Sequence, residues 1–357
     1  MQAQREDISV PAWGNDRLDA PSSPEIEDAC FDHSLDAWVF SRHADVLAAF
    51  RSPSLVPAGP NSKHTSDLEP YNESKRVAMR AETLEALSPA QLRIWREQLD
   101  SEVFTLLEAL SIAQPVDLMR DVARPLCLSL AAMVIDIPMQ QAETLRTTAQ
   151  PVSASAADPY NSTLRTRAKA ANVELRHCLH SGPETLRDGG FVALAHTMPA
   201  LLGNAWYALL QHPQQWRLLH DQPELTGQAI EELLRHAGLS RILFRRATED
   251  VTLNNAHIRK GDRIVLRIFA ANHDPGRFTH PGEVDITRRD AGQLTLGTGK
   301  HSCAGASLLR MAAIAITQPL VQRFASATLA QPVDWQGSAG FRSPTSLWAN
   351  LSFREAK

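Results

Sequence analysis

Cysteine is scarce in this 357-residue chain, with only Cys30, Cys127, Cys178 and Cys303, each far from the others. That scatter excludes a cysteine-rich zinc module and a disulfide framework, and few unpaired thiols suit a reducing cytoplasm, which is the expected location. A strong excess of charge is also missing. The formal net charge is -4, which gives no reason to expect a nucleic-acid partner. Membrane-length apolar runs are absent as well, and the opening residues Met1 to Asp7 are polar, without a signal-peptide or membrane-span pattern. No repeat or low-complexity linker divides the sequence. With 43% hydrophobic residues it can bury one large core, so a single domain over 1–357 is expected.

What is present concentrates near the C-terminus, in Gly297-Thr298-Gly299-Lys300-His301-Ser302-Cys303-Ala304-Gly305. The cysteine stands where a glycine-rich turn meets an apolar helix expected to begin near Ala304. A sulfur there faces unpaired backbone N–H groups and the positive end of the helix dipole, which favours its anion. Gly297 and Gly299 let the backbone turn back close to the sulfur, and Gly305 leaves the next turn bare enough for a flat group to lie against it. His301 can aim a charge or hydrogen bond at the edge of such a group. A phosphate loop fails, because His301 stands where Ser or Thr is needed and Leu294 where the first glycine belongs. A dinucleotide fingerprint fails at Ser302. A plain buried cysteine is the simplest alternative. The constellation as a whole fits a haem held by a cysteine thiolate.

Upstream, Gln228 to His236 has the period of an amphipathic helix with Ile230, Leu233 and Leu234 on its apolar side, closed by Gly238. Glu232 and Arg235 stand three apart on one face, where they can pair. Taken together with the cysteine loop, these motifs make the chain resemble the cytochrome P450 family, the haem-thiolate monooxygenases. Glu232-Leu233-Leu234-Arg235 matches the family's Glu-x-x-Arg helix. Leu296 to Gly305 matches its Phe-Gly-x-Gly-x-His-x-Cys-x-Gly loop except that Leu296 replaces the Phe. Between the two, Ala247 to Val251, Lys260 to Asp262 and Ala271 to Pro275 resemble the strands and meander of bacterial members. The resemblance runs from about Trp38 to the C-terminus and leaves 1–35 poorly matched.

The resemblance implies that Cys303 is the axial ligand of haem b and that Glu232 with Arg235 locks the core beneath it. It also implies propionate partners at Arg76, Arg80, Arg245 and His301, with Arg76 in place of the usual His or Trp. Burying two carboxylates requires such fixed donors. Over the haem, the family's oxygen-activation motif Ala-Gly-x-Glu/Asp-Thr corresponds to Ala193-Leu194-Ala195-His196-Thr197. Thr197 is kept as hydrogen-bond donor on the oxygen side, while His196 replaces the acid. An imidazole there has three roles open to it: a core or solvated histidine, a proton relay, or a group reaching the iron, the last disfavoured because the family's acid points away from the haem. Pro199 follows, and its missing N–H and its clash with the Ala195 carbonyl predict a distorted helix.

The expected fold is mainly α with a small β region, shortened relative to the family, with only one helical run, roughly Ser162 to Leu179, between Pro151 and Gly190. The expected function is a bacterial-type monooxygenase of a small organic or secondary-metabolite substrate, free or bound to a carrier or peptide. A ferredoxin-type partner supplies its electrons, and no membrane is involved. Peroxide-driven oxidation, oxidative coupling or rearrangement on the same haem is the alternative suggested by His196, and a haem-binding protein without catalysis is a third class.

Overall fold

The computed structural model describes residues 26–59, 73–180, 184–289, 292–337 and 339–353; the polar stretch Met1 to Asp7 lies outside them. The chain begins with β1 (Cys30–Asp32), β2 (Ala37–Phe40), α1 (His43–Arg51) and β3 (Leu55–Pro57). Five long helices follow: α2 (Glu73–Ala86), α3 (Pro89–Ala109), α4 (Arg124–Ile135), α5 (Met139–Ala157) and α6 (Ser162–Cys178), with β4 (Val116–Asp117) between α3 and α4. Local signals set several of these starts. The Ser88 side chain accepts the Gln91 N–H ahead of Pro89, and the Asn161 side chain accepts the Leu164 N–H, so each helix opens with a capped donor. At Asp136 the backbone enters the left-handed region (φ 56°), ending α4.

The central helix is built in three parts: α7 (Glu184–Val192), a π-helical turn at Ala193–Thr197, and α8 (Met198–Gln211). Nearly every residue of α8 is buried, which explains a sequence apolar on all sides. Its Gly203 sits where two other segments crowd the helix. A methyl group there would overlap the Met119 sulfur and come within 2.9 Å of Pro344, so the bare backbone lets these segments cross. Next come α9 (Pro213–Asp221) and α10 (Thr226–Ala237), the helix anticipated from Gln228 to His236.

The second half adds β5 (Ile242–Ala247), β6 (Val251–Leu253), β7 (Ala256–Ile258), β8 (Arg263–Arg267), α11 (Ile268–Asn272) and α12 (Ala306–Arg323). It ends in β9 (Ser326–Leu329), β10 (Trp335–Gly337), β11 (Arg342–Pro344) and β12 (Trp348–Ser352). The largest sheet has the order β1-β2-β8-β5-β3, with only the β2–β8 pair parallel. This mainly helical architecture with small sheets matches the expected fold class. Among the described residues no single helix is long and apolar enough to cross a membrane. The apolar pair Met119–Ile135 and Met139–Ala157, bent by 106°, contributes much of its surface to the buried core.

Candidate active site

The floor of the site is a buried ion pair. Glu232 and Arg235 are fully buried on α10, and Arg235 donates from Nε and Nη2 to the two carboxylate oxygens at 2.8 Å each. Its remaining N–H groups reach the carbonyls of Asn272 and Pro281 at 2.8 Å and of Glu283 at 2.9 Å, so all five donors are used. Glu232 in turn accepts the Asp285 N–H at 3.0 Å and Arg288 Nε at 3.1 Å. A buried pair with every lone pair and proton satisfied is what offsets its desolvation cost.

Two hydrogen bonds carry this floor to the cysteine loop. Asn272 Nδ2 donates to Thr295 Oγ1 at 2.9 Å, and that hydroxyl donates to the Leu234 carbonyl at 2.6 Å. Leu294 N–H closes on Asn272 Oδ1 at 2.8 Å. The loop then turns on Gly297 (φ 65°) and Gly299 (φ 72°), conformations that favour glycine. Cys303 N–H donates to the Leu296 carbonyl at 2.8 Å, so the Leu in place of Phe leaves the backbone closure of the turn intact. Helix α12 begins at Ala306 rather than near Ala304, with Gly305 as its cap.

Cys303 is exposed beside this loop, yet packed densely enough that desolvation dominates and pushes its thiol up. The Gly305 N–H and the charges of Arg80 and Arg310 act the other way. The Gly305 N–H is the turn's own contribution toward the anion, in the direction the sequence expects, and burial opposes it. A bound metal reverses the balance, because a coordinating thiol is deprotonated outright.

Arg80 on α2 grips the loop, donating Nη1 to the Ser302 carbonyl at 2.6 Å and Nη2 to Ser302 Oγ at 2.9 Å. Arg76 sits one turn earlier on the same helix and is exposed. Arg245 on β5 is buried, donates Nη1 to the Phe244 carbonyl, and stacks its guanidinium 5.2 Å from the Phe50 ring centroid. Two contributors escaped sequence reasoning. Phe50 lies against both glycines of the loop as well as Arg245, and only its place on the apolar face of α1 could have hinted at it. Arg310 follows Cys303 by seven residues, two helical turns, and is held by Glu231 at 2.5 and 3.0 Å.

The donor set of this loop suits a haem. Among the described residues no group of three or more His, Cys, Asp or Glu could hold a metal ion, so an iron bound by Cys303 alone must bring its other ligands with it, as a porphyrin does. A Cβ on Gly305 would meet only the Cys303 sulfur, at 4.0 Å, which leaves that face open to a flat group.

In the central helix, the π-helical turn spans all of Ala193–Thr197 and gives way to α8 just before Pro199. The wide turn explains how the helix continues past a residue that cannot donate to the Ala195 carbonyl. His196 does not stand free. Its Nε2 lies 2.8 Å from the Arg146 carbonyl of α5, and since a carbonyl only accepts, Nε2 carries the proton and Nδ1 keeps its lone pair. Burial first, then the charges of Arg146 and Arg124, push the imidazole below its ordinary value and keep it neutral. His196 and Thr197 line a cavity of about 370 Å³ between α5, the central helix and the β10–β11 hairpin. Of the other anticipated site residues, Arg76, Arg80, Arg245, His301, Cys303 and Gly305, none lines it.

Comparison with known proteins agrees with this geometry. The family "Cytochrome P450" matches residues 214–343, which hold both the buried pair and the cysteine loop. Cytochrome P450 CYP107DY1 of Priestia megaterium is 30% identical over 350 residues, covering 82% of this chain and 84% of that protein. Nocardicin C N-oxygenase of Nocardia uniformis is 28% identical, with 87% and 89% covered. Among solved structures, ligand-free CYP164A2 of Mycobacterium smegmatis superposes with a TM-score of 0.79 at 23% identity, covering 88% of this chain and 91% of that one. P450BioI in complex with an acyl carrier protein ligated to hexadec-9Z-enoic acid gives 0.79 at 24% identity, with 89% and 92% covered. The chain therefore belongs to the cytochrome P450 family and is a haem-thiolate oxidoreductase of the monooxygenase type.

Proposed function

We propose that Cys303 is the axial ligand of a haem b, and that the cavity beside Thr197 receives a small organic or secondary-metabolite substrate, free or carrier-bound, for oxygenation with electrons from a ferredoxin-type protein. Bound there, the haem supplies oxygen activation and transfer of one oxygen atom to the substrate. The chain's residues hold, shield and protonate. Arg80 on α2, His301 beside the cysteine in the loop, and Arg245 behind Phe50 would neutralise the buried propionates, with Arg76 one turn away on α2. The observation that carries the reading is the cysteine loop, seated through Asn272 and Thr295 on a buried pair with no unmet donor.

On the oxygen side, Thr197 ends the π-helical turn and offers a hydroxyl donor toward the cavity. His196, neutral with its proton fixed on Nε2, offers Nδ1 as an acceptor, so a proton can arrive there from the cavity and be passed on through Thr197 or water. Ligation of iron by His196 is disfavoured, since its ring is turned to the Arg146 carbonyl.

The test is spectroscopic. The reduced carbon monoxide complex of the haem-loaded protein should show the red-shifted Soret band of thiolate ligation, and Cys303→Ala should lose it. Retention of that band in Cys303→Ala would remove the axial assignment. Product analysis with a redoxin against hydrogen peroxide then separates oxygen-driven from peroxide-driven turnover.

A further inference from the structure

The charges lining the cavity call for more than a hydrocarbon substrate. Of its 19 lining residues, nine are polar or charged, and three of these carry formal charge: Arg124 at the start of α4, Arg146 on α5, and Asp158 at the C-terminal cap of α5. Neither guanidinium is neutralised in a buried pair. Arg124 donates Nη2 to the Thr345 carbonyl at 2.5 Å, and Arg146 touches Glu143 only through Nε, at 3.5 Å, in an exposed contact. Arg146 belongs to the Thr197 end of the cavity, since its carbonyl receives the His196 Nε2 hydrogen bond, and Arg124 opens α4, which packs against the same π-helical turn.

Asp158 lies at the other end. It follows Arg146 by twelve residues, roughly 18 Å along a helix axis, and closes α5 by donating its N–H to the Ala154 carbonyl. Its Oδ1 is buried and makes no hydrogen bond among the described residues. A buried carboxylate oxygen without a donor is costly, and a cationic or N–H group arriving in the cavity is what would relieve it. Positive charge at one end and an unsatisfied anion at the other is a pattern complementary to a molecule carrying the opposite arrangement.

We infer that the cavity selects an amphoteric, elongated substrate, its carboxylate on Arg124 and Arg146 and its ammonium or other cationic N–H group on Asp158. This rests on the reading of the cavity as the substrate chamber. The charged side chains would hold the two ends, and the apolar lining, Phe341 and Leu239 among it, would take the chain between them. A doubly anchored molecule is held in one direction, which fixes the carbon presented to Thr197.

Calorimetric titration of the haem-loaded protein tests this with straight-chain ω-amino acids of about six to twelve carbons, a series of lengths up to the roughly 18 Å of helix axis from Arg146 to Asp158. Each is compared with the alkanoic acid and the alkylamine of equal length. At one length the amino acid should bind about tenfold more tightly than either analogue. Asp158→Asn should erase its advantage over the acid, and Arg146→Gln, which keeps the backbone carbonyl used by His196, should erase its advantage over the amine. Equal affinity for acid and amino acid in the wild type, or advantages that survive both variants, would overturn the proposal. The carbon monoxide spectrum of the same samples separates the two levels of failure. A thiolate band without amphoteric preference removes the substrate class alone, whereas a missing band removes the haem-thiolate chamber itself.

Discussion

Below the cysteine loop, Arg235 has used its last N–H and Glu232 accepts from three residues, and neither side chain of the pair has measurable exposure. In the central helix the chain opens into a π-helical turn, Arg146 is half exposed in a long contact with Glu143, and Asp158 keeps a buried oxygen without a donor among the described residues. One half is closed and the other is left incomplete. Iron ligation asks for a fixed sulfur, which a saturated network provides. A site that must admit and release different molecules needs hydrogen-bonding capacity held in reserve.

The contrast can be broken most forcefully from below. Glu232→Ala or Arg235→Ala leaves an uncompensated buried charge at a cost of about 3 to 5 kcal/mol, so both variants should be poorly folded and haem-deficient. Wild-type melting temperature and haem content in both would show that the floor is dispensable.

Acid should attack the same half next. His236 and His273 have ring centroids 5.4 Å apart beside Arg235, and His212 lies 6.0 Å from His236. Burial first, then Arg235, lowers His236 to about 4. Burial first, then His236, lowers His273 to about 3. Both values are depressed in the folded state, so the neutral rings contribute stability that is complete above the ordinary value of 6.5 and drains away as pH falls toward 4 and 3. Melting temperature should fall across that window. A flat profile from 6.5 to 4 would show that these rings are not what makes the floor acid-sensitive.

A smaller effect is expected where the floor meets the loop. Thr295→Val deletes the hydroxyl between Asn272 and the Leu234 carbonyl and should cost about 1 to 3 kcal/mol in urea denaturation, with loosened haem binding. Indistinguishable unfolding would mean that the loop is seated by packing alone.

The smallest change in stability belongs to the upper half. His196→Ala removes one hydrogen bond, about 1 kcal/mol, yet with a redoxin it should slow product formation and divert electrons into hydrogen peroxide. His196→Glu should retain or improve coupling. If His196→Ala couples as well as wild type, proton delivery belongs to Thr197 and water.

The lower half was also the more legible in sequence, for a physical reason. The buried pair is three residues apart on a helix, and the cysteine loop depends on glycines whose φ values, 65° and 72°, are local properties. Such features are written in consecutive residues. By contrast, the carbonyls that saturate Arg235 come from positions 37 to 48 residues away, and Phe50 reaches the loop from nearly 250 residues upstream, so no spacing announced them. Above the loop, Pro199 foretold a distorted helix, but the turn's span and the bond from His196 to α5 depend on a helix brought over from 50 residues earlier. The burial that opposes the Cys303 anion is a property of the assembled fold, so the sequence showed only the turn that favours it.

Gly203 links the two halves in another way. The atom that a side chain there would strike is the sulfur of Met119, and Met119 is itself part of the cavity wall. A methyl group added behind that wall would displace the flexible thioether, and press on the Pro344 ring beside it, without itself lining the chamber. The capacity of the chamber is thus adjustable from outside it, and selection for bulkier or slimmer molecules could act through a residue that never meets them.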